Sequence, residues 1–148
     1  MKIPANALIL VADGRKAIIL RNAGDEKFPN LKTEWSLAEP NPSTAAQGSD
    51  RPGRVNFQDR RSTVDQTDWH TEEEASFAKR TAVTFDGLVR EKQTRHIMIV
   101  APPRTLSVLR RSLGDDTSRK VIAELAHDLV NHTVGDIEAY LGRAKVAS

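Results

Sequence analysis

Apolar residues fall into three kinds of run along this chain, and each kind predicts a different element. The first is continuous. Ala7 to Ala12 and Lys16 to Leu20 are almost wholly apolar, with Asp13-Gly14-Arg15 between them. Asp-Gly between two apolar runs is a strong hairpin signal, because a type I′ turn requires positive φ at both central residues. Strand 7–12 should therefore pair with strand 15–21, and so little polarity predicts cover on both faces. The second kind alternates. Leu31, Thr33, Trp35 and Leu37 face one way and Lys32, Glu34 and Ser36 the other, as in a half-buried strand at a sheet edge, ended by Pro40 and Pro42. Gly24, Asp25, Pro29 and Asn30 form the turn-rich link to it.

The third kind is helical. Ala78, Ala82, Phe85 and Val89 recur at helical spacing, with Phe77, Thr81 and Leu88 alongside. Thr71-Glu72-Glu73-Glu74 reads as a capping box, its acids suit the helix dipole, and Arg90 and Lys92 suit the other end. A helix over 72–92 is predicted. His96 to Ala101, stopped by Pro102-Pro103, reads as a buried parallel strand. Leu106, Leu109 and Leu113 predict a helix ended at Gly114. Val121 to Leu129 fits a helix or a strand; the spacing of a βαβ unit favours a strand at 119–125. Thr133 with Asp136 at N3 then opens a last helix carrying Ile137, Tyr140 and Leu141. The order implies an α/β fold: one mixed five-stranded sheet, an antiparallel three-strand meander plus a βαβ unit with a right-handed crossover, and helices on its faces.

Between the third strand and the first helix lies a long polar loop, 38–70. Connections of this length are uncommon in a compact domain and are usually functional or disordered. The 148 residues fit a single domain, 1–148, with this loop as its main excursion. The absence of cysteine rules out disulfides, thiolate metal sites and cysteine nucleophiles, and it fits a reducing compartment. The first apolar run, Ala7 to Ala12, is too short for a signal peptide or a membrane span. A cytoplasmic protein with no membrane insertion is expected.

The net charge of +2 says little by itself; its distribution says more. Arg51, Arg54, Arg60 and Arg61 sit in the loop beside Asp50 and Asp59, and Arg104, Arg110 and Arg111 form a second basic group. Arginine contacts phosphate and stacks on bases, so the loop reads as a nucleic-acid contact, with Phe57 and Trp69 available to interleave, although anchoring the loop onto the core accounts for Trp69 equally well. A solvated loop accounts for the same residues equally well.

Candidate chemistry is sparse. Two-metal nuclease chemistry needs three or four converging carboxylates, and Asp13 is explained by its turn. Asp65, Asp68 and His70 could hold a divalent ion or act as acid and base, but capping of the predicted helix accounts for Asp68 and His70. His96, His127 and His132 have no neighbour at ligand spacing. No nucleophile elbow, phosphate loop or dinucleotide fingerprint occurs. Neither a metal nor a cofactor is expected.

Four motifs in order carry a family resemblance. They are Leu10-Val11-Ala12-Asp13-Gly14-Arg15-Lys16-Ala17, Asp68-Trp69-His70 before Glu74, Val100-Ala101-Pro102-Pro103-Arg104-Thr105-Leu106, and Asp128-Leu129-Val130. Together they resemble the bacterial host attachment proteins, which look related to the middle domain of archaeal and eukaryotic peptide-chain release factors. The resemblance spans nearly the whole chain. It implies a ribonuclease H-like fold shared with some ribosomal proteins, and an RNA or ribosome partner. In the release factors, a Gly-Gly-Gln tip on the corresponding loop positions a water in the peptidyl-transferase centre. This chain has no Gly-Gly-Gln; Gln47-Gly48 is the nearest element, followed by Arg51-Pro52-Gly53-Arg54. The resemblance thus favours a non-catalytic RNA- or ribosome-associated protein that uses Arg51, Arg54, Arg60 and Arg61, with Gln47, Gly48, Asp68, His70 and Arg104 as secondary candidates. A hydrolase, acting on peptidyl-tRNA or through a metal, and a protein-interaction module for attachment to host cells are the alternatives.

Overall fold

A computed structural model describes residues 2–38 and 63–144, without the side chains of 63–71. Five strands, β1 (Leu8–Ala12), β2 (Lys16–Asn22), β3 (Leu31–Ala38), β4 (Ile97–Val100) and β5 (Val121–Leu125), form one sheet in the order β3-β2-β1-β4-β5. Helices α1 (Thr63–Lys92), α2 (Pro103–Ser112), the short α3 (Asp115–Arg119) and α4 (Val134–Arg143) complete the described elements. β2 pairs antiparallel with β1 and β3, while β1, β4 and β5 run parallel. The predicted mixed five-stranded α/β architecture is the one observed.

The core is two layers, one on each sheet face. Leu8, Leu10 and Ala12 of β1 and Ile97 and Ile99 of β4 pack under Phe77, Phe85 and Val89 of α1 and Leu106 and Leu109 of α2. Ile9, Val11, Met98 and Val100 point the other way, onto Ile137 and Leu141 of α4 and onto Leu129 and Val130. All five residues of β1 are buried, which is why its sequence is continuously apolar.

Two β-bulges change what the alternation means. β3 pairs Trp35 with Ile19 but Thr33 with Leu20, so Glu34 is the extra residue. A bulge offsets the period of two. Leu31 therefore joins the α4-side core while Trp35 and Leu37 join the α1-side core, although the sequence period puts all three on one face. β5 repeats the device: Ile97 faces Val121 and Met98 faces Ala123, leaving Ile122 extra and 44 % exposed.

Four local expectations are corrected. The hairpin forms, but not through a type I′ turn: no glycine among the described residues has positive φ, and Asp13 and Gly14 are not left-handed. Asp13 Oδ1 instead accepts from the Arg15 and Lys16 amides, both at 2.8 Å. A Cβ at Gly14 would lie 2.6 Å from Glu74 Cγ and Cδ, so a larger residue there would make the Glu74 side chain move. Secondly, α1 begins at Thr63, nine residues before the predicted start, so Thr71 and Glu72 to Glu74 lie inside it and form no capping box. The sequence has neither proline nor glycine between Gly53 and Gly87, so nothing interrupts the helix there. Thirdly, the strand expected over 119–125 forms but starts at Val121, because Arg119 ends the short α3, whose first turn carries Asp115 and Asp116. Finally, α2 does stop before Gly114, but Gly114 has φ −68° and its amide donates to the Asp86 carboxylate of α1. Thr133 caps α4 as expected, accepting from the Asp136 amide at 3.0 Å.

One buried asparagine organises the β2–β3 link. Asn22 Oδ1 accepts from the Gly24 and Asn30 amides, each at 2.9 Å, and Nδ2 donates to the Ile3 carbonyl at 2.9 Å. Removing it strands the buried Ile3 carbonyl and leaves the half-buried Gly24 and Asn30 amides without their shared acceptor. Asn22→Ala should cost about 1–3 kcal/mol, measured by urea unfolding, the cost of one unsatisfied buried group.

α1 ends in a Schellman motif without its usual glycine. The Thr94 amide donates to the Val89 carbonyl at 3.0 Å and the Gln93 amide to the Arg90 carbonyl at 3.3 Å, with Gln93 at φ 53°. A left-handed non-glycine residue costs about 1–2 kcal/mol. Gln93→Gly should leave stability unchanged or raise it by up to about 1 kcal/mol, whereas Gln93→Val should lower it; thermal melts of the two variants give the comparison.

Candidate nucleic-acid interface

The register sorts the connections between elements to two ends of the sheet. Val11 pairs with Val100, Val100 with Leu125, and Lys16 with Ala38. One end therefore gathers the carboxyl ends of the parallel strands β1, β4 and β5, the β1–β2 hairpin tip, and the point where the chain leaves β3. In open α/β sheets, ligands bind outside the carboxyl ends of the parallel strands.

Several functional groups converge there. Arg15 and Lys16 are exposed on the hairpin tip, which the Asp13 carboxylate holds in shape through two backbone amides. Arg104 is exposed in the first turn of α2, directly after β4. Its placement follows from the sequence: Pro102 and Pro103 end the strand, and Pro103 starts the helix, where its missing N–H costs nothing. His127 and Asp128, exposed, follow β5. α1 runs past this end as well. Glu74 packs against Gly14 at the hairpin tip, and Thr63 precedes it by eleven residues, about 16 Å of helix.

The other basic group divides. Arg104 faces the carboxyl end, whereas Arg110 and Arg111 lie in the last turn of α2. Arg110 is engaged by β5: Nε and Nη2 both donate to Glu124 Oε1. These hydrogen bonds, then the charge of Glu124, hold the guanidinium pKa above its ordinary value. Arg111 Nη1 donates to Ser107 Oγ at 2.9 Å. Of the three, Arg104 is the one at the sheet end from which the polar loop departs.

Arg51, Arg54, Arg60 and Arg61, with Gln47 and Gly48, lie outside the described residues. Asp65, Asp68 and His70 fall within α1, not ahead of it. The expectation that Asp68 and His70 cap a helix start is therefore corrected. Positions 68 and 70 are two apart, and on a helix such positions do not share a face. Asp13 uses its carboxylate in the turn, as expected. Among the described residues, no three His, Asp or Glu side chains are grouped so as to hold a metal ion, and no helix is long and apolar enough to cross a membrane. Arg15 and Lys16 were missed as interface candidates because their relation to Arg104 depends on β1–β4 pairing, which joins segments far apart in sequence.

No curated protein matches the chain. The sequence pattern of bacterial archaeo-eukaryotic release factor family 12 matches residues 6–141. That span takes in all five strands and every described helix up to the last turn of α4. The protein belongs to bacterial archaeo-eukaryotic release factor family 12.

Proposed function

We propose that this protein is a cytoplasmic, release-factor-like protein that associates with RNA on the ribosome and does so without catalysis. The contact surface is the carboxyl end of the sheet. Arg15, Lys16 and Arg104 supply cations on rigid elements, and Arg51, Arg54, Arg60 and Arg61 supply more from the polar loop. The observation that carries the reading is topological: in a chain of this family, the loop leaves from the same sheet end that presents those three exposed cations. Backbone phosphates require positive charge and reach but no base-specific geometry. The lack of a Gly-Gly-Gln motif argues against peptidyl-tRNA hydrolysis.

Ribosome co-sedimentation at two salt concentrations tests this. The variant with Arg51, Arg54, Arg60 and Arg61 all changed to Ala should bind at least about tenfold more weakly at moderate salt. It should also show a shallower salt dependence, since each lost phosphate contact removes roughly one unit of slope. Arg15→Ala with Arg104→Ala should lower the slope further. Equal binding by wild type and the fourfold variant would remove the loop from the proposal. Turnover of peptidyl-tRNA that Gln47→Ala abolishes would make the protein a hydrolase instead. Affinity capture of one protein partner that survives ribonuclease treatment would favour the interaction module.

A further inference from the structure

A second basic site lies at the opposite end of the sheet, about 17 Å away along β1. A cavity of about 580 Å³ opens there between the start of β1, the end of β2, the end of α1 and the start of β4. That volume falls within the range of small-ligand sites. Arg21, Lys92, Arg95 and His96 line it. Glu34 is the nearby counter-charge, 3.5 Å from Arg21 Nε and 3.3 Å from Lys92 Nζ. Three fixed cations against one carboxylate leave an excess of two positive charges. Among the described residues Arg95 is exposed and has no ion-pair partner.

Two carboxamides also line the cavity. Among the described residues, two non-glycines have positive φ, Asn6 at 65° and Gln93 at 53°, and both line this cavity. Glycine would relieve the strain at either position, yet both carry a carboxamide. Asn6 Oδ1 accepts from Arg21 Nη1 at 3.3 Å, orienting that guanidinium. The adjoining depression shares Ala5 and His96 but sets Asp25 and Glu26 against Lys27 alone, so an anion would be drawn to the Arg21–Lys92–Arg95 side.

We infer that this cavity binds a phosphate group, carried by a nucleotide or by a single-stranded RNA backbone. Arg95 and Lys92 would supply the charge, and Asn6 and Gln93 neutral hydrogen bonds. The site is separate from the interface at the other end of the sheet and does not depend on it.

Amide-resolved NMR titrations with inorganic phosphate, uridine 5′-monophosphate and a short oligouridylate test the inference. Shifts should concentrate at Asn6, Gln93, Arg95 and His96. Arg95→Ala should weaken binding roughly tenfold, as expected for one charge-assisted contact. Glu34→Gln, which removes the competing carboxylate, should tighten it several-fold, an outcome a purely structural role would not produce. The fourfold loop-arginine variant should bind these probes at the cavity like wild type, which separates this site from the loop. Tighter binding of the mononucleotide identifies a small ligand, and tighter binding of the oligonucleotide identifies RNA. Shifts spread away from these residues, or an affinity unchanged by Arg95→Ala, would overturn the assignment.

Discussion

The burial of β1 on both faces governs the rest of the structure. Its five residues are covered above and below, with an antiparallel neighbour on one side and a parallel neighbour on the other. Such a strand can exist only if helices cover both faces of the sheet. α1 and α2 take one face and α4 the other. With both faces covered, polar groups concentrate at the ends of the strands, and the two basic regions lie at those two ends.

The two edges are adapted differently from the centre. Each outer strand carries a bulge beside its inner partner. On β3 the bulge frees Glu34 to reach Arg21 and Lys92, joining the edge to the end of α1. Leu31, displaced to the other face, donates its amide to Glu138 Oε1 of α4 at 3.0 Å. One extra residue thus ties β3 to helices on both faces of the sheet. On β5, Glu124 engages Arg110 instead, so α2 is fastened to the strand that follows it. These exposed pairs contribute little stability each; their effect is to determine which cations remain available to a partner.

Local sequence patterns determine the elements that a single segment produces. The DG hairpin, the alternating third strand, the Thr133 cap and the apolar face of α1 all follow from patterns within about twenty residues, where side-chain period and backbone geometry are coupled directly. Local patterns are ambiguous where two solutions are compatible with the same residues. A capping box at Thr71 is locally sound, but an uninterrupted helix through it satisfies the same amides with intrahelical bonds. The Asp-Gly turn admits positive φ, but an Asp13 carboxylate bonded to two amides closes the hairpin without it. Asn22 carried no sequence signal, because its five hydrogen bonds join it to residues from Ile3 to Asn30.

Composition and periodicity alone established an α/β chain with a mixed sheet, a buried central hairpin and a basic polar loop, since burial and helix or strand period are written in neighbouring residues. Only the tertiary structure decided which charges stand together. Arg15 meets the neighbourhood of Arg104, and Arg21 that of Arg95, through pairing between strands roughly ninety residues apart in the chain. No local pattern encodes that distance, because the energy that brings them together comes from apolar burial between the strands and helices, and the cations are carried along with it.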